Sequence, residues 1–373
     1  RHIGMYPVST LVAVIGAGPA GLAASHALAR RKIDHVVLEK GEDVGHSWSN
    51  VYESLRLHTG KHMSALPGMS FPRSTPLFVR RQTLLDYLQA YTRRFRIPVE
   101  TRCAVTDVQR LDDGWQISTA MGDLRARHLI VATGIMSEPR LPQFEGQEEY
   151  RGRVIHSAEY RRPEPYIGKQ VLVVGVGNSG AEIATELARA GARVAISIRT
   201  GANFVPLTLL GIPIQYYSRW MQSLPRLVRE VMASAASTAG ERLRGRPVIQ
   251  KPGYGLLEKQ PVIGFGLVNA VRDGSILTRT GIHRFPRDGA LFIDGSSDGF
   301  DEVILATGYR AAIGLLDGLV RRGERGFAER DRVISLDQPD LYFVGHNYGA
   351  IGALLNIGRD AGLTAKIIGS RIP

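Results

Sequence analysis

Two short stretches of the chain carry the residue types that handle dinucleotide phosphates. Gly16-Ala17-Gly18-Pro19-Ala20-Gly21 and Gly175-Val176-Gly177-Asn178-Ser179-Gly180 both read G-x-G-x-x-G. In such a turn the first glycine permits a tight bend and the second lets a pyrophosphate approach the backbone. The third lets the following helix pack closely on the strand. The phosphate charge then sits at the helix N-terminus. Beyond the turns the two stretches differ. Glu39 lies 23 residues after Gly16, where a carboxylate accepts two ribose hydroxyls and repels a 2′-phosphate. Arg199 lies 24 residues after Gly175, with Thr200 beside it. A guanidinium and a hydroxyl there suit a 2′-phosphate. The acidic copy therefore suits FAD, and the basic copy suits NADPH in preference to NADH. Asn178 and Ser179 lie inside the second turn.

The elements around these turns can be read from the sequence pattern. Leu11–Ile15 is a continuous apolar run, the mark of a buried parallel strand. A helix comes next over Leu22–Ala29, and the strand His35–Leu38 ends at Glu39. In the second copy, Val171–Val174 leads into the turn, a helix spans Ala181–Ala190, and a strand spans Arg193–Ile198. The repeat goes further. Gly114–Ser118 and Asp123–Ala126 read as short strands before Leu129-Ile130-Val131-Ala132-Thr133-Gly134. Ala290–Ile293 precedes Val303-Ile304-Leu305-Ala306-Thr307-Gly308-Tyr309. Each copy is a Rossmann unit, a small β-meander and a strand ending in Ala-Thr-Gly. The predicted fold is α/β, with two Rossmann-like dinucleotide-binding domains, one for FAD and one for NADPH. Residues 8–160 form the first part of the FAD-binding domain, 165–310 the NADP-binding domain, and 311–373 the returning part of the first. Leu341–Gly345 is a strand of that return. A helix from about Ala350 or Ile351 aims its N-terminus at the flavin.

Composition narrows the function. Hydrophobic residues are 44% and charged residues 22% of the 373, enough for full cores. Cys103 is the only cysteine. That excludes a disulfide scaffold, a cysteine-rich zinc site and a Cys-x-x-Cys redox pair, and no metal site is expected. Cys103 belongs to an expected strand with Ala104 and Val105, as a small buried hydrophobe. The net charge is +12, and forty of the 47 basic residues are Arg. An Arg-rich composition accounts for this, as does attraction to nucleotide phosphates or a membrane surface; no nucleic-acid partner is expected. No apolar run reaches the ~18 residues of a membrane span, and no signal peptide is visible, so a cytoplasmic setting is expected. Arg1-His2-Ile3-Gly4 before Met5 reads as a tag remnant. Leu207–Ser237 is amphipathic and basic. It suits a substrate entrance first, then peripheral contact with a membrane, or packing on a partner. The oligomeric state is not readable.

With these motifs in place, the chain resembles the two-dinucleotide-binding flavoproteins. Among them it is most similar to the flavin-containing monooxygenases of the plant YUCCA type, over residues 10 to 370. Tyr150-x-Gly152-x-x-x-His156-x-x-x-Tyr160 matches the fingerprint F-x-G-x-x-x-H-x-x-x-[FY], with Tyr150 in place of Phe. Tyr160, where the Baeyer–Villiger branch usually carries Trp, argues against that branch. Leu57-His58-Thr59-Gly60-Lys61 resembles the segment L-H-L-P-K, with Gly60 for Pro. The turn Gly177–Gly180, and Lys251-Pro252-Gly253 together with Thr307-Gly308-Tyr309, complete the set. Gly45-His46-Ser47-Trp48 resembles the flavin-contacting G-G-x-W, His46 departing from it. The fingerprint falls on the linker between domains, where His156 either contacts cofactor or orders the linker.

The resemblance implies FAD and NADPH as cofactors, and a small organic substrate and O2 as partners. Hydride passes from NADPH to the flavin. With no cysteine pair to accept electrons, O2 is the better acceptor, and the reduced flavin binds it as a C4a-peroxyflavin. The YUCCA-like features imply oxidative decarboxylation of an aryl α-keto acid. N- or S-oxygenation, or Baeyer–Villiger oxidation of a ketone, is the alternative. A non-catalytic redox sensor is the alternative of another class. His58 falls where animal-type enzymes carry an Asn near the flavin. It either hydrogen-bonds the peroxide and tunes its proton or packs on the flavin. His58 and Asn178 are the implied catalytic residues. The implied cofactor contacts are Gly16, Gly18, Pro19, Ala20, Gly21, Glu39, Lys40, Ser47, Trp48, Val105, Thr133, Gly175, Gly177, Asn178, Ser179, Arg199 and Thr200. Lys61 meets a phosphate or a substrate carboxylate, or is a plain surface lysine.

Overall fold

Leu11–Ile15 offers no side chain to water, so a strand made of it needs cover on both faces. In the computed structural model of the chain it has that cover. Val12 and Val14 point into one core, with Leu22 and Leu28 of the helix Pro19–Ala29 and Ile357 of the helix Ala353–Gly369. Ala13 and Ile15 point into another, with Trp115, Ile117 and Leu124. The structure describes residues 8–221, 223–225, 227–232, 235, 247–255, 258–324, 326–347 and 353–372. Arg1–Gly4, the expected helix start at 350–351, and parts of the 207–237 segment lie outside them.

The chain divides into two units. The first holds residues 1–50, 55–138 and 309–373. Its sheet runs in the order Arg330–Asp331, Ile334–Ser335, Leu341–Phe343, Gly122–Val131, Ser9–Ile15, His35–Leu38, Val99–Glu100. Ser9–Ile15 is parallel to both neighbours, with Val14 opposite Val37 on one side and Ile130 on the other. The meander strands Val105–Leu111 and Gly114–Thr119 fold antiparallel onto the long strand Gly122–Val131. Leu341–Phe343, within the expected returning strand, runs parallel to that strand. The second unit holds 51–54 and 139–308. Its main sheet has five strands, all parallel, in the order Arg153–His156, Glu302–Leu305, Gln170–Val174, Arg193–Ser197, Ile276–Arg279. A meander of Ile282–Arg284, Gly289–Phe292 and Ser297–Gly299 corresponds to that of the first unit.

Three expectations shift. The chain enters the second unit after Glu138, not near residue 160. The fingerprint is not a linker: Arg153–His156 is the edge strand of the second sheet, and pairing with Glu302–Leu305 draws the whole fingerprint into that unit. Cys103 is buried at 1% exposure, but the strand expected around it starts only at Val105. No helix among the described residues is long and apolar enough to cross a membrane. In the 207–237 segment, the hairpin Thr208–Pro213 and the helix Ile214–Met221 leave Leu210 90% and Trp220 60% exposed.

Candidate active site

The glycines of the first turn are there for three separate reasons. Gly16 has φ +102°, and a Cβ on it would lie 2.7 Å from the Ala132 carbonyl oxygen. A Cβ on Gly21 would lie 1.8 Å from the Gly16 oxygen. Gly18 meets no protein atom within 4 Å of where its Cβ would stand, so what its side chain would fill is space above the backbone. The second turn repeats all three. Gly175 (φ +106°) faces the Ala306 oxygen at 2.6 Å, Gly180 faces the Gly175 oxygen at 2.1 Å, and Gly177 faces open space. Gly18 and Gly177 are the N-caps of the helices Pro19–Ala29 and Asn178–Arg189. Neither helix has a side-chain cap or an acid in its first turn. Exposed N–H groups, helix dipole and absent side chain together fit a pyrophosphate at each turn.

Glu39 closes the first turn. It is 5% exposed. Its Oε2 accepts from Ala17 N at 2.7 Å and its Oε1 from Gly41 N at 2.8 Å, which aims the carboxylate and leaves each oxygen a lone pair for a ribose hydroxyl. Gly45 N donates to Ala17 O at 2.9 Å, tying the short helix His46–Ser49 to the same turn. On it, Ser47 is exposed and Trp48 is half-buried against the core. Cys103 N donates to Glu39 O at 2.8 Å, which brings Val105, two residues on, to this end of the sheet. Lys40 is exposed. A Cβ on Gly345 would come within 2.7 Å of Ala20 Cβ, so the returning strand also ends at the first turn, a neighbour that sequence spacing did not reveal.

Thr133 has another task. Its Oγ1 donates to Ala312 O at 2.6 Å, while Ala312 N donates to Gly134 O at 3.3 Å. The second Ala-Thr-Gly does the same: Thr307 Oγ1 donates to Arg140 O at 2.6 Å, and Arg140 N donates to Gly308 O at 2.9 Å. Each threonine latches the stretch of chain that crosses its strand end.

His58 is half-buried on the strand Arg56–Gly60, which pairs with Phe78–Arg80. Lys61, just beyond, is neither a ligand group nor a loose surface lysine. Its Nζ donates to Arg73 O at 2.8 Å and Thr75 O at 2.6 Å, with Pro72 O at 3.4 Å. The ammonium clamps that turn.

In the second unit, Asn178 Oδ1 accepts from Ile263 N at 2.8 Å, which fixes the side-chain amide at the helix start. Ser179, the next residue, is half-buried, and Glu182, one turn further on, accepts from the Tyr52 hydroxyl. Sequence reasoning missed both Tyr52 and Glu182. Arg199 and Thr200 are exposed. Ala202 N donates to Gln250 O at 3.1 Å, which sets Lys251 beside the Arg199–Thr200 loop. The fingerprint residues are anchors. Tyr150 donates to Phe300 O at 2.8 Å and lies where a Cβ on Gly152 would stand, 2.2 Å from the phenol oxygen. Tyr160 donates to Glu186 at 2.8 Å. His156, 2% exposed, pairs Nε2 with Gly308 O at 3.1 Å and accepts at Nδ1 from Ala158 N at 3.1 Å. Burial lowers its pKa. Of the two roles open to His156, ordering the chain is the one these bonds show.

Two like units, each presenting a glycine turn to a dinucleotide, define a two-dinucleotide-binding flavoprotein. Residues 13–205 match the family model described as pyridine nucleotide-disulphide oxidoreductase. The indole-3-pyruvate monooxygenase YUCCA4 of Oryza sativa subsp. japonica is 33% identical over 327 residues, 80% of this chain and 74% of that protein. The probable indole-3-pyruvate monooxygenase YUCCA4 of Arabidopsis thaliana is 32% identical over 317 residues, 80% of this chain and 75% of that protein. A solved double mutant of the flavin monooxygenase from Stenotrophomonas maltophilia superposes with a TM-score of 0.78 at 25% identity, spanning 97% of this chain and 99% of that one. The chain belongs to the pyridine nucleotide-disulphide oxidoreductase family, in its flavin-dependent monooxygenase branch. It is an oxidoreductase, and that branch uses flavin and NADPH.

Proposed function

We propose that the protein is an NADPH-dependent, FAD-containing monooxygenase that decarboxylates an aryl α-keto acid oxidatively. One observation carries the reading: two glycine turns of the same geometry lead to unlike residues, a buried Glu39 and an exposed Arg199. Unlike readers of the ribose 2′ position call for two different dinucleotides. The relatives named for indole-3-pyruvate, and the segment Leu57–Lys61, support the substrate class. A cytoplasmic setting suits a chain with one buried cysteine.

Bound FAD and NADPH supply hydride transfer and the reduction of O2. The balance is one keto acid, one O2, one NADPH and one proton giving the shortened acid, CO2, NADP⁺ and water. One oxygen atom enters the new carboxylate and the other leaves as water. The chain binds, orients and manages protons. Gly16, Gly18, Pro19, Ala20 and Gly21 hold the FAD pyrophosphate, and Glu39 takes its ribose hydroxyls. Gly175, Gly177 and Ser179 hold NADPH at the second turn, with Arg199 and Thr200 on its 2′-phosphate. Asn178, its amide fixed by Ile263, faces the reacting end. His58 would offer its imidazole to hold or move a proton beside the flavin, the means by which this chain would choose between a keto carbon and a soft N or S centre.

The test is His58→Ala. The variant is expected to oxidise NADPH at a rate near wild type, to release hydrogen peroxide, and to liberate no CO2 from an aryl-pyruvate. A variant that stays fully coupled makes His58 a packing residue. A wild type that ignores aryl-pyruvates but oxygenates a thioether keeps the monooxygenase class and removes the keto acid.

A further inference from the structure

We propose that the hairpin Thr208–Pro213 and the helix Ile214–Met221 form a docking surface for an anionic lipid bilayer, with Leu210 at the hairpin tip entering the acyl region. The proposal stands apart from the reading of the two dinucleotide sites.

The tip is built against its own local preference. Leu209 pairs with Ile212 and Thr208 with Pro213, so the loop is Leu210 and Gly211. Both have positive φ, +51° and +77°, the backbone of a type I′ turn. Asparagine or aspartate before glycine suits that first position, because a short polar side chain tolerates the left-handed region and a branched aliphatic one does not. Leu210 occupies it nonetheless and, 90% exposed, gains almost no packing in return. Strain and exposure at one residue point to a contact that the chain alone does not make. Leu209 and Ile212, a directly opposed pair, put their side chains on one face of the hairpin, and both are exposed, whereas Pro213 is buried. The hairpin has a fixed base. The Tyr217 hydroxyl donates to Leu209 O at 3.0 Å, and Ile214 N donates to Leu207 O at 3.1 Å.

The charge around this face selects the occupant. Between Gly201 and Gly240 the sequence holds Arg219, Arg226 and Arg229 against a single acid, Glu230. Arg219 is exposed, and so is Trp220 beside it. Further on, Leu227 and Val231, spaced to share one helical face, are exposed as well. An apolar tip, a tryptophan and guanidinium groups with almost no acid make up a surface that lies on anionic lipid. Leucine and isoleucine enter the acyl chains, the indole sits at the level of the headgroups, and arginines meet the phosphates. A second copy of this chain would bring the same excess of arginine to the contact, and like charges oppose it. The net charge of the whole chain, +12, favours the same anionic partner.

The experiment sediments FAD-loaded protein with two kinds of vesicle, phosphatidylcholine alone and phosphatidylcholine with about one-third phosphatidylglycerol. The proteins are wild type, Leu210→Asn, Trp220→Ser and Arg219→Gln. Wild type is expected to bind the anionic vesicles about tenfold more tightly than the neutral ones and to lose that preference at high salt. Leu210→Asn is expected to bind the anionic vesicles about tenfold more weakly, the size of one leucine withdrawn from an apolar medium. Its Tm is expected to equal or exceed that of wild type, since asparagine suits the turn. Trp220→Ser is expected to weaken binding likewise, and gives the same reading if Leu210→Asn does not hold its fold. Arg219→Gln is expected to narrow the difference between the two kinds of vesicle. A wild type that sediments with neither overturns the proposal, as does a folded Leu210→Asn that binds as wild type does. A wild type that ignores vesicles but self-associates in analytical ultracentrifugation, and is monomeric as Leu210→Asn, gives the face to a second copy and overturns the proposal too.

Discussion

An exposed guanidinium is available to whatever anion arrives, and Arg199 is such a group. It lies over Gly281, whose Cβ would stand 3.4 Å from the Arg199 Cγ, and it forms no ion pair among the described residues. A charge-assisted bond to a 2′-phosphate is worth ~1.5–3 kcal/mol. Arg199→Ala is therefore expected to raise the KM for NADPH about ten- to a hundredfold and leave that for NADH nearly unchanged, by steady-state kinetics. Equal losses for both coenzymes would show that Arg199 does not read the phosphate. Lys61 shows the limit of sequence at this scale. In L-H-x-x-K it has the same appearance whether it meets a ligand or closes a turn. Only the return of the chain at Pro72–Thr75 shows that its three hydrogens go to carbonyls. Tyr52 was invisible for the same reason, since its partner stands 130 residues away.

At the scale of elements, the glycine turns were legible because the constraint is local: strand, bend and helix start lie within a few residues. The structure adds which glycines the protein's own packing requires and which face open space. Gly21 and Gly180 cannot carry a Cβ without striking a carbonyl, whereas Gly18 can, at an extended φ of −76°. Gly18→Val is thus expected to fold with a near-wild-type Tm and to purify without flavin, read by the absorbance near 450 nm. Yellow Gly18→Val with a normal FAD-to-protein ratio would place the pyrophosphate elsewhere. The fingerprint was legible as a pattern but not as a set of jobs. Tyr150, Gly152, His156 and Tyr160 each act through a residue far along the chain: Phe300, Asp301, Gly308 and Glu186. The paired Ala-Thr-Gly motifs were read as strand ends. Their common function, a threonine latch on the crossing chain, emerges only once both crossings are built.

At the scale of the molecule, the repeat gave the two units and their order. The true crossing after Glu138 was hidden, because Arg153–His156 is a short edge strand whose partner, Glu302–Leu305, comes at the other end of the unit. Burial as a whole sets a pH response. His26, His35, His128, His156 and His346 all have pKa values lowered, chiefly by burial, His346 to about 3. Below about pH 6.5 the unfolded chain takes up protons that these native imidazoles refuse, so stability falls as pH falls. Asp360, raised to about 6 by burial, acts the other way, because the native state keeps its proton between about pH 4 and 6 while the unfolded state loses it. Five groups oppose one. Tm measured against pH is expected to be level near pH 7 to 8 and to drop steadily below 6.5. A Tm that rises on acidification from pH 6.5 to 5 would contradict the buried, neutral histidines.

The most direct measurement of the central claim is the fate of molecular oxygen. Wild-type, FAD-loaded protein is supplied with NADPH, ¹⁸O₂ and an aryl-pyruvate, and the products are read by mass spectrometry alongside peroxide and CO2 assays. The expected result is one ¹⁸O atom in the carboxylate of the shortened acid, one CO2 released per NADPH oxidised, and little hydrogen peroxide. The contradicting result is NADPH oxidised with all of its electrons recovered as peroxide and no ¹⁸O in any organic product, whether an aryl-pyruvate or a thioether is offered.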